Sequence, residues 1–108
     1  MTVEQLSQQL SFKAISLPSG DREITGVYIG DLLSWVMGRA REGDAWITIM
    51  SNRNVVAVAT LADTSCIILA EGVEPDAGVA ELAFEKGINL LISPLSAYDT
   101  ALRLRDAI

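Results

Sequence analysis

The chain has 108 residues, of which half are hydrophobic and 20% are charged, and its formal net charge is −6. This length fits one domain over residues 1–108, and the apolar content excludes an intrinsically disordered chain. The acidic balance argues against nucleic acid or anionic lipid as a partner, because both require clustered Lys and Arg. No apolar run is long enough to cross a membrane.

The reactive residues are few, since the chain has one cysteine, Cys66, and no histidine. A lone cysteine cannot form an internal disulfide, and the N-terminus is polar rather than a signal peptide, so we expect a cytoplasmic protein. Without histidine there is no Ser/His or Cys/His nucleophile pair, and no glycine-rich phosphate motif is present. We therefore expect no metal, no cofactor and no catalytic residues.

The first third of the chain predicts two helices and two strands. Thr2 and Gln5 have the spacing of a capping box for a helix that ends at Leu10. Residues 12–16 and 24–28 are predicted strands, and residues 30–40 are a predicted helix. Asp31 is expected to be the N-cap or a first-turn acid of that helix.

The rest of the chain repeats an apolar strand at a spacing of roughly 21–23 residues, with helical segments between. The runs 45–50, 66–70 and 88–92 are almost unbroken apolar stretches, which suit buried parallel strands. Parallel strands require crossovers, so we interpret the valine-rich segment 54–62 as a buried helix. The fold class is therefore α/β, with layers α/β/α and a mostly parallel sheet of about four or five strands.

Two further helices follow from their end signals. Pro75 and Asp76 are predicted to begin one helix, which Lys86 and Gly87 end. Ser93 is predicted to cap the last helix, with Pro94 in its first turn.

The helix at residues 30–40 is apolar around most of its circumference, which predicts cover on more than one side. We expect either burial beneath the sheet or contact with a second copy of the chain. The residues expected at a homodimer interface are Leu32, Trp35, Val36 and Met37.

Four segments resemble the DRTGG domain family: residues 21–37 (DREITGVYIGDLLSWVM), 42–49 (EGDAWITI), 54–59 (NVVAVA) and 93–98 (SPLSAY). The resemblance is closest to stand-alone, hydrogenase-associated members. It implies a fold like the N-terminal domain of the kinase that acts on the histidine-containing phosphocarrier protein, and a regulatory or dimerising role. Val27 stands where the motif has its second glycine, and residues 50–54 replace a Gln-Thr-His-type segment of relatives.

Ligands of open parallel sheets bind beyond the carboxyl ends of the strands, which places a candidate site at four loops. Asn52, Arg53 and Asn54 precede a predicted helix, where free N–H groups and a guanidinium favour a phosphate or carboxylate. The alternative is that both asparagines are turn and cap residues and that Arg53 is solvated. The candidate ligand contacts are Tyr28, Asp31, Ser51, Asn52, Arg53, Asn54, Ser93 and Ser96.

The sequence favours a non-catalytic regulatory or assembly domain that forms a homodimer and serves a hydrogenase or another redox or metabolic enzyme. The alternative is a sensor that binds a nucleotide or another anionic metabolite at the strand ends. A third interpretation is an enzyme of unrecognised type, which would depend on Asp31 or Arg53.

Overall fold

The computed structural model describes all residues from Met1 to Ile108. The elements, in chain order, are α1 (Val3–Leu10), β1 (Lys13–Ser16), β2 (Gly26–Ile29), α2 (Leu33–Arg39), β3 (Asp44–Thr48), α3 (Asn54–Ala62), β4 (Cys66–Leu69), α4 (Val79–Glu85), β5 (Leu90–Ile92) and α5 (Ala97–Ala107). The strands form one sheet in the order β1-β5-β4-β3-β2. The strands β2 to β5 are parallel and only β1 is antiparallel, which confirms the predicted mostly parallel sheet.

The helices form two layers because the crossovers all step across the sheet in the same direction. Each strand from β2 to β5 lies beside the next, so α2, α3 and α4 cover one face. The helices α1 and α5 cover the other face. Successive strand side chains point to opposite faces, so Trp46 and Ile67 pack under α2–α4 while Ala45, Ile47 and Cys66 pack under α1 and α5.

The valine-rich segment is a helix, as predicted, although its intrinsic preference is for a strand. Val55, Val56, Val58 and Ala59 are buried against the sheet. Burial of this face therefore outweighs the unfavourable helix propensity of valine. The capping box of α1 is also confirmed, because the Thr2 hydroxyl accepts the N–H of Gln5 at 3.2 Å and the Gln5 side chain accepts the N–H of Thr2 at 2.9 Å.

Three predicted helix starts were wrong. The last helix is capped by Ser96, whose hydroxyl accepts the N–H of Asp99 at 3.0 Å, rather than by Ser93. The helix α4 begins at Val79 instead of Pro75, and α2 begins at Leu33. In each case the residues after the strand continue as a loop before the helix begins.

Two residue roles were also wrong. Asp31 does not cap α2, whose N-cap position is Leu32 with no side-chain cap, because its carboxylate bonds to β3 instead. Val36 is fully buried in the core rather than available at an interface. None of the helices combines the length and apolar character needed to span a membrane.

Candidate functional site

The candidate site lies at the carboxyl ends of the four parallel strands, β2 to β5. The loops at residues 30–32, 49–53, 70–78 and 93–96 follow these strand ends, and each precedes a helix. Parallel strands bring their carboxyl ends together, so these loops are neighbours in the order of the sheet.

Asp31 holds the first two loops together. One carboxylate oxygen accepts the hydroxyl of Thr48 at 2.8 Å and the N–H of Ile49 at 3.0 Å. The indole Nε1 of Trp46 donates to the carbonyl of Gly30 at 2.9 Å. These bonds fix the ends of β2 and β3 side by side, so the Asp31 carboxylate has a structural role in this loop.

The loop after β3 is fixed by its own polar side chains. The Ser51 hydroxyl donates to the carboxylate of Asp76 at 2.8 Å, and the N–H of Asp76 donates to the Ser51 carbonyl at 3.0 Å. The Asn52 side-chain oxygen accepts the N–H of Asn54 at 2.9 Å, which closes an Asx turn at the start of α3. Arg53 is exposed and has no ion pair, so it is the free cation of this loop.

The remaining predicted contacts have different environments. The Ser93 hydroxyl is fully buried and lies 2.8 Å from that of Thr100, so it does not face a ligand at the surface. The Ser96 hydroxyl serves as the cap of α5. Tyr28 is half-buried against the core. The structure thus leaves the Arg53 and Asn54 side chains as the groups in this set that are most free to meet a partner.

The loop after β4 turns tightly. Glu71 and Gly72 both have positive φ, at 60° and 67°, and the N–H of Val73 donates to the Ala70 carbonyl at 3.1 Å. Two central residues with positive φ are typical of a type I′ turn. The backbone N–H groups of Glu71 and Gly72 donate to the loop after β5, each at 2.8 Å, so this turn joins two of the four loops.

The charges at these strand ends are mostly negative. The exposed carboxylates in the four loops are Asp31, Glu71, Glu74 and Asp76, and the one cation is Arg53. A field of this sign repels phosphates and carboxylates, so this end of the sheet as a whole is a poor anion site. The sequence did not reveal this balance, because the acids come from two loops that are 40 residues apart in the chain and meet only in the folded sheet.

The motif region lies at the opposite ends of the parallel strands, where β2 and β3 begin. The Arg22 guanidinium donates to the Asp63 carboxylate at 2.8 Å, to the Asp63 carbonyl at 3.1 Å and to the Thr64 carbonyl at 3.1 Å. A Cβ added to Gly26 would lie 2.5 Å from a carboxylate oxygen of Asp44, so any larger residue here would have to displace that carboxylate. Arg22 and Gly26 therefore shape the fold around α3 and β3, far from the carboxyl ends of the strands.

A second feature is the apolar surface of α2, formed by Leu32, Trp35 and Met37, which are 59%, 55% and 47% exposed. We call these three residues the α2 patch. The guanidinium of Arg39 lies 3.8 Å from the centre of the Trp35 ring, at cation–π distance. Sequence reasoning missed this contact, although a spacing of four residues on a helix was its signal.

The chain offers little for metal or thiol chemistry. No group of Asp, Glu or Cys side chains is arranged to hold a metal ion. Burial raises the pKa of the Cys66 thiol from 9.0 to about 12, which keeps it protonated and inert at neutral pH.

Comparison with known proteins shows both family and fold. The DRTGG domain model matches residues 19–107. The chain is similar to the crystal structure of the CBS and DRTGG domains of the regulatory region of a Clostridium perfringens pyrophosphatase complexed with activator, diadenosine tetraphosphate. The TM-score is 0.69 at 20% identity, and the match covers 95% of this chain and 45% of that one, so this chain spans under half of its length. No curated protein matches the chain.

Proposed function

The chain belongs to the DRTGG domain family, and from this premise we propose that it is a regulatory or assembly domain that acts by binding rather than by catalysis and forms a homodimer. Residues 1–108 would act as one such domain. The observation that carries the proposal is the α2 patch, since large apolar side chains clustered on one exposed helix are typical of an interaction surface.

The shape of α2 favours a second helix as the partner of the α2 patch. Trp35 and Met37 are two positions apart, about 200° around the helix, so they flank opposite sides of its outer face. Ser34 and Gly38 lie between them on that outer face, and a Cβ added to Gly38 would meet nothing within 4 Å. Small residues between large apolar ones let a second helix approach closely, and α2 of another copy has this same shape.

The regulated enzyme would be a hydrogenase or another redox or metabolic enzyme. The resemblance to stand-alone, hydrogenase-associated DRTGG proteins motivates the first choice. The similar structure is part of a pyrophosphatase regulatory region, which equally supports the second choice, regulation of another metabolic enzyme. Co-purification of the chain with hydrogenase subunits from its host, or with none of them, would distinguish the two.

The test of the homodimer is its mass in solution. Wild-type protein at about 10–200 μM is expected to sediment as a dimer, and Trp35→Asp as a folded monomer, because burying the carboxylate at an apolar interface is unfavourable. The matched control is Tyr98→Asp, since Tyr98 is 70% exposed on α5, in the other helix layer. A wild-type monomer across this range, or a dimer that survives Trp35→Asp, would contradict the interface.

The alternative function is a sensor that binds a nucleotide or another anionic metabolite at the strand ends. It is supported by the nucleotide activator in the similar structure and by the free guanidinium of Arg53. The acidic loops weigh against it, because the four loops together carry four exposed carboxylates and one cation.

Thermal melting with nucleotides, dinucleotides and acyl phosphates tests the sensor. A ligand at about 100 times its dissociation constant stabilises a protein by roughly 2.7 kcal/mol, which raises the Tm of a domain this size by several degrees. An increase that Arg53→Ala abolishes would favour the sensor. No increase at millimolar ligand would leave the assembly role as the better proposal.

A further inference from the structure

A groove of about 470 Å³ runs between α3 and α4, on the face of the sheet that also carries α2. Its apolar lining comes from Val56, Ala57 and Leu61 of α3 and from Leu82 of α4. Leu61 is 73% exposed, the highest exposure among the large apolar side chains. The groove therefore presents an apolar strip to solvent, separate from the α2 patch.

The charges that line this groove have one sign. Its only ionisable side chains are Arg53 and Lys86, and neither forms an ion pair or a side-chain hydrogen bond. This is unusual in a chain with 14 acidic and 8 basic residues. The lining residues therefore carry two positive charges and no negative one, which favours a partner that presents carboxylates to them.

The two cations stand at opposite ends of the groove. Both α3 and α4 connect parallel strands on one face, so the two helices run in the same direction. Arg53 precedes the first residue of α3, and Lys86 follows the last residue of α4. The strip from Arg53 to Leu61 is eight residues long, which is about 12 Å, or two turns of helix.

We propose that this groove binds an amphipathic helix of a partner protein, whose apolar side chains contact Ala57, Leu61 and Leu82 while a carboxylate at each end pairs with Arg53 and Lys86. A helix bound in a groove contacts it through apolar side chains at positions i, i+3 or i+4, and i+7. Two acids seven or eight residues apart span the same length as the groove.

The proposal deepens the assembly role by giving the partner's chemistry, but it does not require the homodimer, since no residue of the α2 patch lines the groove. The probe is a capped synthetic peptide of about 16 residues with leucines on one helical face and a glutamate at each end of it. A second peptide has lysine in place of both glutamates. Titration of the full chain by calorimetry, with backbone amide NMR shifts, measures affinity and location.

The expected result is binding of the glutamate peptide, with shifts confined to α3 and α4 and affinity that falls as salt increases. The Arg53→Glu/Lys86→Glu variant should weaken this binding by about tenfold or more and should bind the lysine peptide instead. Arg53→Gln/Lys86→Gln supplies a neutral version in case charge reversal perturbs the fold. The matched control is Arg41→Glu/Arg103→Glu, because both arginines are exposed and unpaired outside the groove.

Several outcomes would overturn the proposal. These are no binding of the glutamate peptide at millimolar concentration, equal binding of the lysine peptide, or undiminished binding by both groove variants. Sedimentation of the same samples distinguishes this failure from failure of the homodimer. A protein that is a dimer but does not bind the peptide would contradict the groove proposal and leave the homodimer proposal intact.

Discussion

The carboxylate of Asp31 accepts a hydrogen bond of 2.8 Å from the hydroxyl of Thr48, and this contact joins the loop after β2 to the last residue of β3. Thr48 is 2% exposed, so its hydroxyl has little access to water. The same hydroxyl accepts the N–H of Met50 at 3.2 Å. Asp31 therefore supplies the acceptor for the buried hydroxyl of Thr48, the last residue of β3.

Asp31→Ala is expected to lower the free energy of unfolding by about 1–2 kcal/mol, because it leaves the Thr48 hydroxyl and the Ile49 N–H without their acceptor. Urea unfolding measures the change. The control is Glu74→Ala, an exposed acid without a hydrogen bond, which should change stability by less than about 0.5 kcal/mol. Equal effects of the two substitutions would contradict the structural role of Asp31.

Arg22→Ala is expected to lower the free energy of unfolding by about 1–2 kcal/mol, because it removes the guanidinium that binds the end of α3 through Asp63 and Thr64. Arg105→Ala is the matched control, since its ion pair with Asp106 is exposed on both sides and should contribute almost nothing. The mass of the Arg22 variant in solution should match wild type. A stable Arg22→Ala protein with altered association would instead place the motif at an interface.

Two substitutions at Gly38 separate helix stability from association. Gly38→Ala should stabilise the folded monomer by about 0.5–1 kcal/mol, because alanine loses less backbone entropy in a helix and its Cβ meets open space. Gly38→Gln should keep a helix of similar stability but weaken the dimer, because its long side chain stands where a second helix would pack. Sedimentation and melting curves for both variants provide the test. If Gly38→Gln dimerises as strongly as wild type, the outer face of α2 is not the dimer interface.

The Cys66 thiol should make stability depend on alkaline pH. Burial raises its pKa from 9.0 to about 12, so above pH 9 the unfolded chain releases a proton that the folded chain retains. Its contribution is complete below pH 9 and declines between pH 9 and 12, by at most about 1.4 kcal/mol per pH unit. Urea unfolding of wild type and Cys66→Ala between about pH 8 and 10.5 isolates this decline. Parallel curves for the two proteins would contradict it.

Sequence patterns predicted the sheet better than the helix boundaries. The apolar runs that became β3, β4 and β5 have no polar alternation, which identifies strands buried on both faces. The valine-rich α3 was predicted only because parallel strands need a crossover, since its local preference is for a strand. Ser93 was mistaken for a helix cap because its true partner, Thr100, is identified only by tertiary packing.

The candidate site was less predictable because its properties depend on several loops at once. Ser51 and Asp76 are 25 residues apart in sequence, and their hydrogen bond cannot be inferred from either local pattern. The free cations Arg53 and Lys86 share a groove only because α3 and α4 lie side by side. The contact between Trp35 and Arg39, in contrast, follows from helical spacing and was within reach of the sequence.

The position of β1 at one edge, beside β5, has a consequence for how the chain folds. Ser16 of β1 donates to the carbonyl of Ile88, 72 residues later, and β1 pairs with no other strand. During synthesis, β1 therefore has no partner strand until the residues of β5 have also been made. Contacts of such long sequence separation slow folding, so a chain that stops before β5 would expose an unpaired strand to aggregation and proteolysis.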